Sequence, residues 1–414
     1  MNHKTAAAWS PACLLLAAGA AHADLTPYAL SAAETVQHLS NVYRSPDAAR
    51  QGDWISTTDF RASLDQPLGR DRLVGFADFN LNRYKSLKTS DSNGYSLGGT
   101  FEWSVPGDLS GTLAADTRRR QYFYGFDGEV LTANGPVASS THNQETDDHL
   151  SAQLKLGGMA RWSLFSGFDA TRRHYSDPGF QANDQRQWTV SGGTSYSTSP
   201  DLSFGLTANY TRGEYPNFLV NGSADSFNLR TVNATTRWRA SGNSSFNASV
   251  GYTSERTDVG APRNFVNGAL NWSWSPPSHF KVNLGLARDT NSDTSNGPNA
   301  SANLSGRSLN DAGHLAVSYE LTAKVSLVAT GQYAQRKYGD SVIPATTGGA
   351  QAVAVSGSNR TTAVGLTVNY APTRIANLSC GLTHESRTSD ASLHIVAPGY
   401  TNMIYTCSAQ VRFD

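Results

Sequence analysis

Residues 95–105 read YSLGGTFEWSV, and their side chains alternate between two kinds. The odd-numbered positions carry tyrosine, leucine, glycine, phenylalanine, tryptophan and valine, whereas the even-numbered positions carry serine, glycine, threonine and glutamate. A period of two is that of a β-strand, and a strict alternation means that the two faces of the strand meet different environments. The segment therefore predicts a strand with one polar face and one face in a protein core or in lipid.

The same alternation recurs along the chain, for example over residues 202–210 and 280–286, and no part reads as a long helix. No run of about 18 apolar residues is present, which excludes a helical membrane protein. Lys and Arg together number 33, as do Asp and Glu, so the formal net charge is +0. A nucleic-acid partner is therefore not expected.

Short turns and long polar connections alternate between these segments. This order is typical of a transmembrane β-barrel with its turns in the periplasm and its loops outside. The long connections are residues 125–147, 290–302 and 339–356, and the first of them is long enough to fold inward as a constriction. The turn signals are residues 66–69, 106–108, 157–158, 199–201, 241–243, 276–278, 322–324 and 371–373.

Counting segments on this template predicts an all-β, transmembrane, antiparallel up-and-down barrel of about 18 strands within residues 24–414. About 16 strands with an N-terminal extension is the alternative, because the first segment alternates poorly. The strands are expected near residues 28–41, 53–66, 71–87, 94–105, 109–124, 148–156, 159–175, 185–198, 202–212, 226–240, 244–256, 264–275, 279–289, 303–321, 324–338, 357–370, 374–388 and 400–414.

Residues 1–23 read as a secretory signal peptide. Lys4 supplies the positive charge, residues 12–21 form a short apolar stretch, and Ala21-His22-Ala23 fits the small-x-small cleavage pattern. Together with the barrel pattern this predicts the outer membrane as the location. Outer-membrane lipid and lipopolysaccharide are then the expected surroundings.

Tryptophan positions give an independent check, because amphipathic rings prefer the membrane interface. The tryptophans of the predicted strands lie on the outward parity near strand ends, which favours a barrel over a soluble sandwich. They are Trp54, Trp103, Trp162, Trp188, Trp238, Trp272 and Trp274.

The last two strands carry the two cysteines that remain after signal cleavage, Cys380 and Cys407. Folding the final hairpin about residues 393–394 places them opposite each other with the same outward parity. We expect a cross-strand disulfide, formed in the oxidising periplasm. The alternative is two free thiols acting as small apolar residues.

Basic and aromatic residues recur as pairs at the loop ends of the predicted strands. Aromatic faces can stack on sugars, and arginine can clamp carboxylate or phosphate, so this rim is a candidate site for an acidic polysaccharide. The competing interpretation is an outer aromatic girdle with arginine contacts to lipopolysaccharide phosphates. The pairs are Arg83 with Tyr84, Arg120 with Tyr122 and Tyr124, Arg173 with Tyr175, Arg212 with Tyr215, and Arg336 with Tyr338.

Motifs for catalysis are missing: the sequence contains no nucleophile elbow, phosphate-binding loop or Cys-x-x-Cys. The histidines show no metal-ligand spacing. We therefore expect a protein that is not an enzyme and that holds no metal and no cofactor.

Residues 57–84 (TTDFRASLDQPLGRDRLVGFADFNLNRY), 211–217 (TRGEYPN) and 265–290 (FVNGALNWSWSPPSHFKVNLGLARDT) resemble the EpsL-type outer-membrane proteins of exopolysaccharide operons. The resemblance implies a porin-like barrel in exopolysaccharide synthesis or export, with exopolysaccharide and periplasmic export proteins as partners. We expect the barrel to act as a passive polar conduit or as an accessory in this export. A general diffusion porin and a structural or adhesive barrel with an occluded lumen are the alternatives.

Overall fold

The computed structural model of the chain describes residues 27–121, 129–132, 135–138, 143–157, 161–178, 181, 184–220, 223–258, 262–290, 308–343, 353–391 and 399–413. The predicted signal peptide lies outside these residues. The strands are β1 (Tyr28–Leu39), β2 (Asp53–Leu68), β3 (Asp71–Tyr84), β4 (Ser92–Val105), β5 (Leu109–Gln121), β6 (Glu129–Thr132), β7 (Gly135–Ala138), β8 (Gln144–Leu156), β9 (Trp162–Tyr175), β10 (Gln185–Ser199), β11 (Leu202–Val220), β12 (Ser223–Ser241), β13 (Ser244–Thr257), β14 (Arg263–Trp274), β15 (Phe280–Thr290), β16 (Ser308–Thr322), β17 (Val325–Ile343), β18 (Val353–Tyr370), β19 (Ala376–Ser389) and β20 (Tyr400–Phe413).

Eighteen of these strands form one antiparallel sheet that closes on itself. Each strand pairs with its neighbour in the chain, and β1 pairs with β20 from Leu30 opposite Phe413 to Leu39 opposite Ile404. Closure leaves the sheet without an edge, so its backbone polar groups are satisfied within the sheet. Strands β6 and β7 form a separate hairpin.

The two ends of the barrel differ in their connections. The end that carries residues 40–52, 85–91, 122–143, 176–184, 221–222, 258–262, 291–307, 344–352 and 390–399 is called here the long-loop end. The other end, the short-turn end, carries the brief connections between β2 and β3, β4 and β5, and so on around the sheet. Short 3₁₀ helices occur in two of the long loops, at Asp47–Ala49 and Lys88–Ser90.

Apolar and polar side chains lie on opposite faces of the sheet, as the alternation in the sequence predicts. Apolar side chains stand exposed on the outer face, including Trp54 at 47% and Trp162 at 60%. The inner face is mostly serine, threonine, asparagine, glutamine and charged residues. No helix in the described part of the chain is long and apolar enough to cross a membrane.

The prediction of 18 strands is confirmed, and the alternative of 16 is wrong. The poorly alternating first segment is a full strand, β1, because both of its neighbours bond to it along most of its length. Strand β11 extends beyond the expected residues 202–212, through an irregularity in its pairing with β12 between Tyr215 and Leu219.

Burial is concentrated on the inner face at the long-loop end. One apolar cluster contains Leu39, Val42, Ile55 and Tyr84, with Tyr43, Leu87 and Ile404 packed against it. A second cluster contains Tyr215, Phe218, Phe227 and Leu229. These clusters make this end the closely packed part of the barrel, while inner residues at mid-height stay partly exposed.

A disulfide joins the last two strands. Cys380 lies directly opposite Cys407 in the register of β19 and β20, with 4.1 Å between their Cα atoms, and their sulfur atoms are bonded. Both side chains belong to the outer face, in line with Leu378 and Leu382.

Candidate functional site in the barrel lumen

The lumen has two unlike walls at mid-height. The charged wall, contributed by β2 to β9, carries ionisable side chains of both signs: Asp59, Arg61, Asp78, Asp116, Arg118, His149 and Asp169. The neutral wall, contributed by β10 to β14, carries hydroxyl and amide side chains: Thr189, Ser191, Asn209, Thr211, Thr231, Asn233, Thr253 and Asn267. Strand parity places all of these side chains inward.

On the charged wall, His149 bridges two carboxylates from the strands on either side. Its Nδ1 lies 2.9 Å from Asp116 Oδ1 and its Nε2 lies 2.6 Å from Asp169 Oδ2. Arg61 Nε lies 3.5 Å from Asp78 Oδ1. Arg61 and His149 thus each pair with carboxylates of neighbouring strands, on a wall that carries charges of both signs.

On the neutral wall, side chains of neighbouring strands bond to each other. The hydroxyls of Thr189 and Thr211 lie 2.8 Å apart, and those of Thr231 and Thr253 are also 2.8 Å apart. Each hydroxyl offers both a donor and an acceptor, so these pairs retain capacity for a further bond to a molecule in the lumen.

Two aromatic rings project from the charged side into the lumen, each across a glycine on the next strand. A Cβ on Gly98 would lie 2.6 Å from Cε1 of Phe76, and a Cβ on Gly193 would lie 2.4 Å from Cζ of Phe165. The absence of a side chain at each glycine lets the ring lie against the sheet. The arrangement gives the lumen two flat apolar surfaces at these positions.

At the long-loop end, residues 40–52 fold onto the inner wall; this segment is called here the mouth loop. Val42 is 4% exposed and packs on the inward side chains Leu39, Ile55 and Tyr84. Asn41 donates its backbone N–H to Asn402 Oδ1 at 3.0 Å. The mouth loop thus covers the inner faces of β20, β1, β2 and β3.

Further along the same end, a charged cluster is packed against the inner wall. Glu145, 1% exposed, accepts hydrogen bonds from Arg120 Nη2 at 2.6 Å and from the Tyr175 hydroxyl at 3.2 Å. Arg173 Nε donates to Asp147 Oδ1 at 2.6 Å. A buried carboxylate between two guanidinium groups is stabilised by them, so these arginines hold the wall together.

The predicted rim residues do not form one ring. Strand parity puts Arg83 and Arg212 on the outer face, whereas Tyr84 and Tyr215 lie inward in the two apolar clusters. The physical reason is that residues one or three apart on a strand point to opposite faces.

Residues two apart on a strand share a face, and the other pairs follow this rule. Arg120, Arg173 and Tyr175 meet in the charged cluster, and Arg336 lies inward and buried on β17. Tyr122 and Tyr124 lie outside the described residues, as does the side chain of Tyr338. Residues 125–128, 133–134 and 139–142 of the 125–147 segment, expected as a constriction, also lie outside them. The mouth loop is a described segment that folds onto the inner wall.

Sequence reasoning did not find two parts of this site. The mouth loop carries a signal, since Val42 and Tyr43 are apolar residues inside a polar connection, but only the packing shows their partners. The contacts of His149 depend on the register of β5, β8 and β9, which spacing alone does not give. Within the described ranges, His, Cys, Asp and Glu side chains form no group of three that could hold a metal ion.

Comparison with known proteins gives a likeness of fold. No protein-family model and no curated protein matches the chain. The outer membrane protein OpdK from Pseudomonas aeruginosa is similar in structure, with a TM-score of 0.50, 11% identity, and coverage of 93% of this chain and 99% of OpdK.

Two other outer-membrane proteins give lower scores. OpdL from Pseudomonas aeruginosa has a TM-score of 0.47 at 12% identity, covering 94% of this chain and 98% of OpdL. The FrpB iron transporter from Neisseria meningitidis has a TM-score of 0.46 at 11% identity, covering 87% of this chain and 62% of FrpB. The closed sheet and the likeness to OpdK together show an outer-membrane β-barrel fold like that of OpdK.

Proposed function

We propose that this barrel is a passive, non-catalytic channel for carbohydrate chains, with exopolysaccharide as its cargo. The observation that carries the proposal is the inner surface at mid-height, where the hydroxyl- and amide-rich neutral wall adjoins the charged wall. Such a surface offers many weak hydrogen bonds and little net charge, which suits a long polar molecule that must move rather than stay bound.

The neutral wall matches the hydrogen-bonding groups of a sugar. Asn267 Nδ2 donates to Asn233 Oδ1 at 3.2 Å, and the threonine hydroxyl pairs lie on the strands beside them. Sugar hydroxyls can exchange with these partners at small cost, because each broken side-chain bond is replaced by a similar one.

The two inward rings add the second element of carbohydrate recognition. The apolar C–H face of a pyranose can pack on Phe76 or Phe165, whose rings project from the wall into the lumen. Arg61 also lies beside Phe76, with its guanidinium carbon 6.0 Å from the ring centroid. An arginine at this place can bond an acidic sugar that packs on the ring.

The sequence resemblance to EpsL-type proteins, over residues 57–84, 211–217 and 265–290, supports exopolysaccharide as the cargo. The first of these segments contains Phe76, and the last contains Asn267. In this role the protein works beside periplasmic export proteins and lets the chain cross the outer membrane by diffusion along the lumen.

Single-channel conductance of the refolded barrel in a planar bilayer tests the proposal. Oligosaccharides released from the producing strain's exopolysaccharide by mild acid should block the open current saturably. A double variant, Phe76→Leu with Phe165→Leu, should shorten each blocking event. The matched control Phe204→Leu, at an outward ring on β11, should leave the block unchanged. An open current that is indifferent to the oligosaccharides would contradict the carbohydrate assignment.

Two other functions each rest on a specific observation. The mixture of both charge signs on the charged wall favours a general diffusion porin, which would pass glucose and a neutral amino acid alike in a liposome swelling assay. The packing of Val42 in the mouth favours an occluded, structural barrel, which would show no current until the mouth loop is shortened.

A further inference from the structure

Three arginines stand together on the outer face near the long-loop end, on strands β9, β10 and β11. The side chains of Arg172, Arg186 and Arg212 are exposed, and their guanidinium groups make no hydrogen bond or ion pair within the described part of the chain. Arg172 lies directly opposite Arg186, and Arg212 lies opposite Trp188, the next outward residue along β10. These three residues are called here the outer arginine patch.

The patch holds like charges side by side. Two arginines directly opposite each other across neighbouring strands repel, which costs stability unless an anion lies between them. Asp148 and Glu214 flank the pair in register, yet neither forms an ion pair with it. Asp148 instead accepts a hydrogen bond from Thr117 Oγ1 at 2.8 Å. The guanidinium donors of the patch therefore remain available to a ligand.

An apolar groove adjoins the arginines on the same outer face. Its volume is about 770 Å³, and the patch itself forms part of its lining. Its apolar lining comes from Leu150, Phe168, Trp188 and Val190, which are 51%, 41%, 37% and 48% exposed. Since the outer face of the barrel lies in the membrane, acyl chains are the natural occupants of this groove.

We propose that the patch and its groove form a binding site for a phosphorylated, multi-acylated lipid of the outer leaflet. The arginines would bind the phosphates through charge-assisted, bidentate hydrogen bonds, while the acyl chains lie on the apolar side chains next to them. The site lies on the opposite side of the wall from the lumen and does not depend on the channel function.

Two features favour a lipid phosphate over free phosphate. The arginines border an exposed apolar groove, which inorganic phosphate cannot fill. The positive surface also continues along the sheet, because Arg230 and Arg256 lie outward on β12 and β13. Arg256 lies in the same row as Arg212, with Asn228 between them, so the phosphate-binding surface can accommodate a headgroup with more than one charge.

The test measures binding of lipid A to the full-length barrel in a neutral detergent by native mass spectrometry. The variant carries Arg172→Gln, Arg186→Gln and Arg212→Gln. The matched control carries Arg70→Gln, Arg119→Gln and Arg360→Gln, three exposed arginines elsewhere that likewise have no bonded partner among the described residues. Heat-modifiable migration on a gel shows that each variant is folded.

We expect wild type and the control to bind lipid A saturably, and the patch variant to bind at least about tenfold more weakly, since each lost bond to a charged group weakens binding. Dephosphorylated lipid A should bind wild type as weakly as lipid A binds the patch variant. Equal binding of lipid A to the folded patch variant would overturn the proposal. Displacement of lipid A by millimolar inorganic phosphate would also overturn it, because the site would then recognise phosphate without the acyl chains.

Discussion

Arg44 in the mouth loop donates from Nε to Oε2 of Glu385 on the inner face of β19, at 3.1 Å and across 341 residues of sequence. The contact fixes a loop from the first hairpin to a strand of the last one. Glu385 also accepts a hydrogen bond from the Tyr400 hydroxyl at 2.5 Å, so the carboxylate that binds Arg44 is itself held in place. The mouth loop is therefore part of the channel wall.

Shortening the mouth loop should widen the channel. Replacing residues 42–50 by Gly-Ser-Gly removes Val42 and Arg44 from the inner wall, and single-channel conductance should rise. Shortening the short-turn connection at residues 276–278 serves as the control and should leave conductance unchanged. Equal conductance of the loop variant and wild type would mean that the mouth loop does not limit the current.

Acidification should loosen the same loop. The Thr401 hydroxyl and backbone N–H donate to Asp47 Oδ1 at 2.8 and 2.9 Å, and these bonds lower the pKa of Asp47 below its ordinary value of 3.8. The pKa of Asp47 is thus lower in the folded protein than in the unfolded chain. The stabilisation from its two hydrogen bonds is therefore complete above pH 3.8 and is lost as the pH falls through the pKa of the folded protein. A fluorophore on Ala49→Cys should therefore report release at low pH.

Two matched variants test whether Asp47, and not another carboxylate, controls the response of the mouth loop to acid. In Asp47→Asn, the fluorophore should report a loosened mouth loop already at pH 7, and its signal should change less on acidification. Asp108→Asn, in a short turn at the other end, should respond to acid as wild type does. An Asp47→Asn variant with the full wild-type acid response would show that another group controls the loop.

Removing the Glu145 carboxylate should destabilise the barrel strongly. Glu145→Ala removes the more buried of the two carboxylates that Arg120 and Arg173 share and leaves Asp147. Breaking a buried pair costs about 3 to 5 kcal/mol, which is the upper bound for this loss. Urea unfolding in lipid vesicles measures this loss. Asp65→Ala is the control, because the Arg72–Asp65 pair is exposed to solvent, and its unfolding midpoint should barely move.

Filling the space under an inward ring should also destabilise the fold. A Cβ on Gly98 would lie 2.6 Å from the Phe76 ring and 2.9 Å from Asp116 Cβ, so Gly98→Ala should cost about 1 to 3 kcal/mol. Gly331→Ala is the matched control, since a Cβ there meets nothing within 4 Å. Similar unfolding midpoints for the two variants would show that Phe76 moves aside freely.

The strand pattern could be predicted because water and lipid select opposite side chains on every strand. Residues 95–105 show this clearly, and the outward tryptophans mark the ends of the same strands. The pairing of Cys380 with Cys407 could be predicted for a related reason: folding a hairpin about its centre determines which residues lie opposite each other.

The candidate site was harder to predict because its contacts join residues distant in sequence. Arg83 and Tyr84 are adjacent in the sequence but lie on opposite faces of β3, so their side chains cannot contact the same ligand. Arg44 and Glu385 form a contact that no local pattern indicates. The packing of the mouth loop depends on which strands lie next to each other when the sheet closes. The alternation of polar and apolar residues does not indicate which strands these are.

The position of the disulfide has a consequence for assembly. A slip of one residue between two strands would turn every side chain of one strand to the wrong side. Cys380 and Cys407 lie directly opposite each other only when β19 and β20 are correctly aligned, so the bond holds the hairpin in this register. The strand that closes the barrel against β1 is therefore covalently held in register with its other neighbour, and a slip of β20 would have to carry β19 with it.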